Sequence, residues 1–85
     1  MPSEKSARAG ERRRQRNAPL RSRAKTFVAK ARRLTTANEL EAAEQAVKDA
    51  VIALDGAAQK GALHANNVAR RKSRIMRQLH EAKSR

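Results

Sequence analysis

From residue 20 onward, apolar side chains return every three or four positions. Leu20, Ala24, Phe27, Val28, Ala31 and Leu34 form one such series, which is the stripe of an amphipathic α-helix. A second series follows at Leu40, Ala43, Val47, Ala50, Val51, Leu54 and Ala58, and a third at Ala65, Val68, Ala69, Ile75, Met76, Leu79 and Ala82. No stretch alternates apolar and polar residues for long enough to predict a strand. Alanine, arginine, lysine, glutamate and glutamine dominate the chain, and all five are good helix formers. Short connections between the three series predict antiparallel neighbours. The expected fold is all-α, an antiparallel three-helix bundle with a long basic N-terminal helix.

The punctuation between the series places the helix ends. Thr36-Ala37-Asn38-Glu39 fits a capping box opening the second helix, with the threonine oxygen taking a free N–H and Glu39 reaching back. Gly61 is the expected stop of that helix, in the left-handed conformation that glycine adopts freely. Gly56 lies inside the helix and costs about 1 kcal/mol relative to alanine; close approach of a neighbouring helix would compensate. The third helix is expected to start between Leu63 and Asn66. Pro19 interrupts the first pattern because it lacks an N–H and clashes with the carbonyl four residues back. Two readings stay open there: Asn17 caps a helix whose first turn holds Pro19, or one continuous helix bends. Residues 3–16 carry almost no large apolar side chain, so they are expected to fray alone and to become helical against a partner. The chain is expected to be one domain, 1–85, with residues 1–17 as a basic arm or helix extension and 18–85 as the core.

Charge changes the picture most. The 85 residues carry 21 Lys and Arg against eight acids, a formal charge of +13. Residues 1–34 hold twelve cations and two glutamates, residues 35–59 one lysine and five acids, and residues 60–85 eight cations and one glutamate. Two basic ends thus flank an acidic middle. Self-repulsion at this charge favours a polyanionic partner. There is no cysteine, and His64 and His80 stand sixteen residues apart, so neither a disulfide frame nor a zinc site is expected. The N-terminus shows no apolar signal region, and no apolar run approaches the roughly 20 residues that span a bilayer. A cytoplasmic protein without cofactor, membrane contact or small-molecule substrate is the expectation. No carboxylate pair, nucleophile–base arrangement or glycine-rich phosphate loop suggests an enzyme.

Nucleic-acid binding is the chemistry the basic residues suit. Arg12, Arg13, Arg14, Arg16, Arg21, Arg23, Lys25, Lys30, Arg32 and Arg33 form one series; Arg70, Arg71, Lys72, Arg74 and Arg77 form the other. Arginine forks match phosphate oxygens and base edges. Arg70, Arg74 and Arg77 share a helix face that excludes Ile75 and Leu79. The single aromatic, Phe27, falls on the core stripe, which argues against base-stacking platforms. A membrane surface would want Trp, Phe or Leu opposite the cations, and residues 3–16 have alanine there. His64 and Asn66 either cap the third helix or touch a phosphate. A DNA-binding, nucleoid-type basic bundle or regulator is the alternative, although no compact helix-turn-helix with a dimer face is visible.

One run is more specific than charge: Lys60, Gly61, His64, Asn66, Ala69, Arg70, Lys72, Ser73, Arg74 and Ile75. It closely resembles the bacterial small-subunit ribosomal protein S20 family. Lys5-Ser6-Ala7, Arg16-Asn17, Arg21-Ser22, Lys25-Thr26 and the stretch from Lys48 to Gly61 extend the resemblance over nearly the whole chain. Pro19, Gly10, Gly56 and Ala65 depart from it. The resemblance implies a non-catalytic, ribosome-associated protein, bacterial or plastid, that binds 16S ribosomal RNA directly early in small-subunit assembly, with few protein contacts. It also implies RNA contacts from Arg16, Asn17, Arg21, Ser22 and Lys25 on helix one, and from Lys60, His64, Asn66, Arg70, Lys72, Ser73 and Arg74 on the turn and helix three. Arg12, Arg13 and Arg14 join these candidates on charge. The two basic edges would then clamp separate RNA helices.

Overall fold

A computed structural model describes the backbone of residues 4–84 and the side chains of residues 10–84. It contains three helices: α1 (Glu4–Thr36), α2 (Leu40–Gln59) and α3 (Ala65–Lys83). No strand occurs among the described residues, and the all-α bundle expected from the sequence is the fold observed. Ion pairs Asp55–Lys72 and Glu44–Lys83 cross from α2 to α3 in reversed order, so these two helices are antiparallel. Thr35 and Ala82 border one cavity and Lys25 and Arg70 another, so α1 and α3 run parallel.

The core is thin and made mostly of alanine. Ala24, Val28 and Ala31 of α1 are buried, as are Ala43, Ala46, Val47, Ala50, Leu54 and Ala57 of α2 and Val68, Ile75 and Ala82 of α3. On α2 the seam steps 43, 47, 50, 54, 57; on α3 it steps 68, 72, 75, 79, 82. Alternating steps of four and three give the 3.5-residue repeat of helices packed at a shallow angle. Alanine along the seam lets helix axes come near the short end of the usual range of about 8–10 Å. Leu20, Phe27, Leu34, Leu40 and Leu79 are half-buried at the margins.

Three expected inner positions face outward. Ala65, Ala69 and Met76 of α3 are exposed, Met76 by 53%. The third helix follows the narrower 3.5-residue seam, so Ala69 and Met76, each one step off it, leave the core, while Ala65 lies in line with the seam but at the exposed first position of the helix. Lys72 falls on that seam and is the residue the apolar reading left out. It lies half-buried between Val68 and Ile75, with its ammonium turned out to Asp55 Oδ1 at 2.9 Å. A lysine stem can cover apolar surface in this way while its head stays wet.

Both turns are Schellman motifs. Asn38 has φ 63°, its N–H donates to the Thr35 carbonyl and that of Glu39 to the Leu34 carbonyl. Gly61 has φ 75°, with N–H bonds from Gly61 to Ala58 and from Ala62 to Ala57. The stop at Gly61 matches the expectation. The capping box does not: Thr36 is the last residue of α1, and no side chain caps α2, whose N-cap is Glu39. Asn38 is the residue that decides this turn, because asparagine tolerates the left-handed region better than other side chains, and its use ends α1 two residues later than a Thr36 cap requires. At Pro19 the structure chooses between the two readings. The helix runs through it without a break, flanked on both sides by strong helix formers.

Candidate nucleic-acid interface

The bundle covers only part of α1. A helix of 33 residues is about 50 Å long, and the molecule measures 57 × 19 × 17 Å. Residues 10–16 are all exposed, and burial begins at half-buried Asn17 and Leu20. Arg12, Arg13, Arg14 and Arg16 therefore stand on a helical arm that projects from the core. Arg14 pairs with Glu11, and the Arg16 Nε–H donates to Asn17 Oδ1 at 3.3 Å. Both contacts are local and exposed, so each contributes little.

Helical spacing joins the arm to the core. At about 100° per residue, Arg14, Arg21, Lys25 and Arg32 fall within about 20° of a single line along α1. That line is about 27 Å long from Arg14 to Arg32. Its lower end enters an open groove of ≈ 560 Å³ between α1 and α3. Lys25 and Arg32 form one wall, Arg70, Arg71 and Arg74 the other, and Val28 and Ala29 the floor. Five cations line this groove, and no carboxylate does. Of the sequence-predicted candidates, the structure brings Lys25, Arg70 and Arg74 together here. Arg32 and Arg71, which the sequence placed in the two basic series but not among the residues singled out for RNA contact, complete the groove. The spacing of Arg32, seven residues after Lys25, is the signal that could have found it; the placement of Arg71 needs the parallel pairing of α1 with α3.

Arg70 and Arg74 also border a second, outer notch of ≈ 400 Å³ with Ser73, Arg77 and Gln78. Three hydroxyls turn back on the chain. Thr26 donates to the Ser22 carbonyl at 2.9 Å, Thr35 to Ala31 at 2.7 Å and Ser84 to His80 at 2.9 Å. Ser22 and Ser73 are exposed, as is Thr36.

The remaining candidates separate from this cluster. Lys72 is held by Asp55. Lys60 is exposed at the C-cap of α2. His64 is the N-cap of α3: its Nδ1 accepts the Asn66 N–H at 3.1 Å. Of the two readings left open for this turn, the structure shows the cap. An accepting Nδ1 carries no proton, so the ring N–H is on Nε2. The side chain of Asn66 is exposed on the same turn.

Apart from Glu11 on the arm and Glu81 near the end of α3, the described acids lie elsewhere. Glu39, Glu41, Asp49 and Asp55 belong to the α2 side of the molecule, and Glu44 is bound to Lys83. That lysine holds the Glu44 carboxyl below its ordinary value, first by hydrogen bonding and then by charge. Among the described residues no cluster of His, Cys, Asp or Glu could hold a metal ion, and no helix is long and apolar enough to cross a membrane.

Fold and surface together define a class: a small α-helical bundle whose cations gather on α1 and α3 and whose acids gather on α2. Comparison with known proteins specifies it. Residues 2–80 match the family model for ribosomal protein S20. The small ribosomal subunit protein bS20 of Thermomicrobium roseum is 54% identical over 84 residues, covering 94% of this chain and 85% of its own. That of Dehalococcoides mccartyi is 44% identical over 86 residues, 96% of this chain and 98% of its own. That of Bacillus mycoides is 43% identical over 76 residues, 89% of each. The chain belongs to the ribosomal protein S20 family, and with that membership it is a structural, non-enzymatic protein.

Proposed function

We propose that this protein is a structural component of the small ribosomal subunit that binds 16S ribosomal RNA directly and supports subunit assembly. The carrying observation is the groove between α1 and α3, with five cations and no acid in its lining. The cationic line on α1 leads a phosphate backbone from the arm into that groove. Each phosphate neutralised releases counterions, so affinity falls steeply with salt. Arg12, Arg13, Arg14, Arg16, Asn17, Arg21, Ser22 and Lys25 act from α1. Lys60, His64, Asn66, Arg70, Ser73 and Arg74 act from the turn and α3. Lys72 contributes its charge from its place beside Asp55. Residues 1–17 serve as an extension ordered by RNA, and residues 18–85 as the folded core. The protein works on cytoplasmic or plastid ribosomes, with few protein contacts.

Sedimentation of tagged protein from lysate, with and without nuclease, tests the assignment. Co-migration with the small subunit, abolished by nuclease, is the expected result. Migration with chromosomal DNA would overturn it in favour of a nucleoid protein. In a binding assay, Arg70→Ala with Arg74→Ala should weaken RNA affinity and flatten its salt dependence by about 0.9 per lost phosphate contact. Reversing Glu41 and Glu44 should matter much less.

A further inference from the structure

A second groove, of ≈ 310 Å³, opens between α2 and α3. It shares no residue with the cationic groove. At about 100° per residue, Met76 on its border stands about 160° around α3 from Arg74, so the two grooves lie on different flanks of the bundle. Val47, Met76 and Leu79 make its apolar strip. Val47 is buried and Leu79 half-buried, but Met76 is left 53% exposed. An exposed methionine continuous with two other apolar side chains is more than a lone surface residue. Its unbranched, polarisable side chain adapts to an apolar partner.

The rim of this groove is cationic. Lys48, His80 and Lys83 line it with one acid, Glu44. Glu44 is already bound to Lys83, and among the described residues no ion pair holds Lys48 or His80. A phosphate backbone suits this lining poorly, because apolar side chains and a carboxylate stand where the other groove has only cations around its floor. We propose that the α2–α3 groove docks an acidic protein segment that carries aliphatic side chains at helical spacing. Aliphatic anchors cover Met76 and Leu79, and flanking carboxylates meet Lys48 and compete with Glu44 for Lys83. Met76 to Lys83 spans about 11 Å of α3, enough for two anchors one turn apart. The proposal stands apart from the RNA-binding reading, and the placement of the two grooves lets both be filled at once.

The test measures fluorescence anisotropy of a short labelled peptide of glutamates with leucine at every third or fourth position, beside a polyglutamate of equal charge. The full chain should bind the leucine peptide about tenfold more tightly. Met76→Gln, at an exposed position and with a helix-forming side chain, should remove that advantage with an unchanged circular dichroism spectrum. Lys48→Glu should weaken binding of the leucine peptide, and Glu44→Gln, which removes the competing carboxylate, should tighten it by up to about fivefold. Arg70→Ala with Arg74→Ala should lower the binding of polyglutamate and leave the advantage of leucine intact. Equal affinity for the two peptides, or an advantage that survives Met76→Gln, would overturn the proposal and leave RNA binding untouched. Binding to phosphatidylglycerol vesicles with the same dependence on Met76, in place of the peptide, would overturn it in favour of a lipid surface.

Discussion

Two single residues show how local geometry sets stability here. Gly56 was expected to serve a close helix approach, yet a methyl group added to its Cα would meet no atom within 4 Å. Its backbone is ordinary α-helix, so nothing in the fold requires glycine there. Gly56→Ala should therefore raise the unfolding free energy by up to about 1 kcal/mol, read as a higher urea midpoint at an unchanged slope. A lower midpoint would mean that the site is more crowded than the structure shows. His64 presents the opposite case, since its Nδ1 occupies the cap of α3. His64→Ala should cost about 1 kcal/mol, and His64→Asn, which can also accept the N–H, much less. If asparagine proved as harmful as alanine in thermal unfolding, the ring would be holding the turn by something other than its cap.

At the scale of helices, the amphipathic stripe of α1 was legible in the sequence and that of α2 largely so: Ala43, Val47, Ala50 and Leu54 lie on the seam, whereas the buried Ala46 and Ala57 were left out of the series. The stripe of α3 was only partly so. Ala69 and Met76 looked inward by composition, whereas the packing admitted Lys72 in their place, because a long stem with an anionic neighbour suits a half-buried seam position better than its charge suggests. The turn after α1 misled for a related reason: Thr36 and Glu39 make a familiar start signal, and the left-handed Asn38 overrode it with a stop signal. The groove was the least legible feature. Its walls come from residues some forty positions apart, and only the parallel pairing of α1 and α3 brings them together. Two exposed ion pairs also link the third helix to α2, and one of them has a pH signature. Glu44, bound to Lys83, titrates below its ordinary value of 4.5 in the folded state. A depressed folded value means that the pair stabilises the fold above the unfolded carboxyl range and that this contribution is lost as pH falls through the folded value. Thermal midpoints of the wild type and Glu44→Gln should converge as pH drops below about 4.5 and separate above it, with the wild type higher. Parallel curves across that range would show that the pair contributes nothing, as exposed pairs often do.

For the whole molecule the governing fact is that a thin alanine core carries a formal charge of +13. Lys25 and Arg32 face Arg70, Arg71 and Arg74 across an open groove with no acid between them, while α1 and α3 make the sparsest contact of the three helix pairs. Repulsion is thus concentrated where packing is weakest. Opposing it are the exposed pairs Asp55–Lys72 and Glu44–Lys83 on the other flank, both weakened by solvent screening. Salt weakens both kinds of interaction, so the sign of its effect reports which one dominates. The screening length shrinks from about 30 Å at 0.01 M to about 8 Å at 0.15 M, the range over which charges across a groove stop sensing one another. With five cations in the groove against two pairs elsewhere, the thermal midpoint of the free protein should rise over this interval. A short polyphosphate should raise it further at equal ionic strength, because a ligand that binds only the folded chain adds its own stabilisation. A midpoint that fell with salt would place the ion pairs above the repulsion, and the groove would then be no strain on the unbound fold.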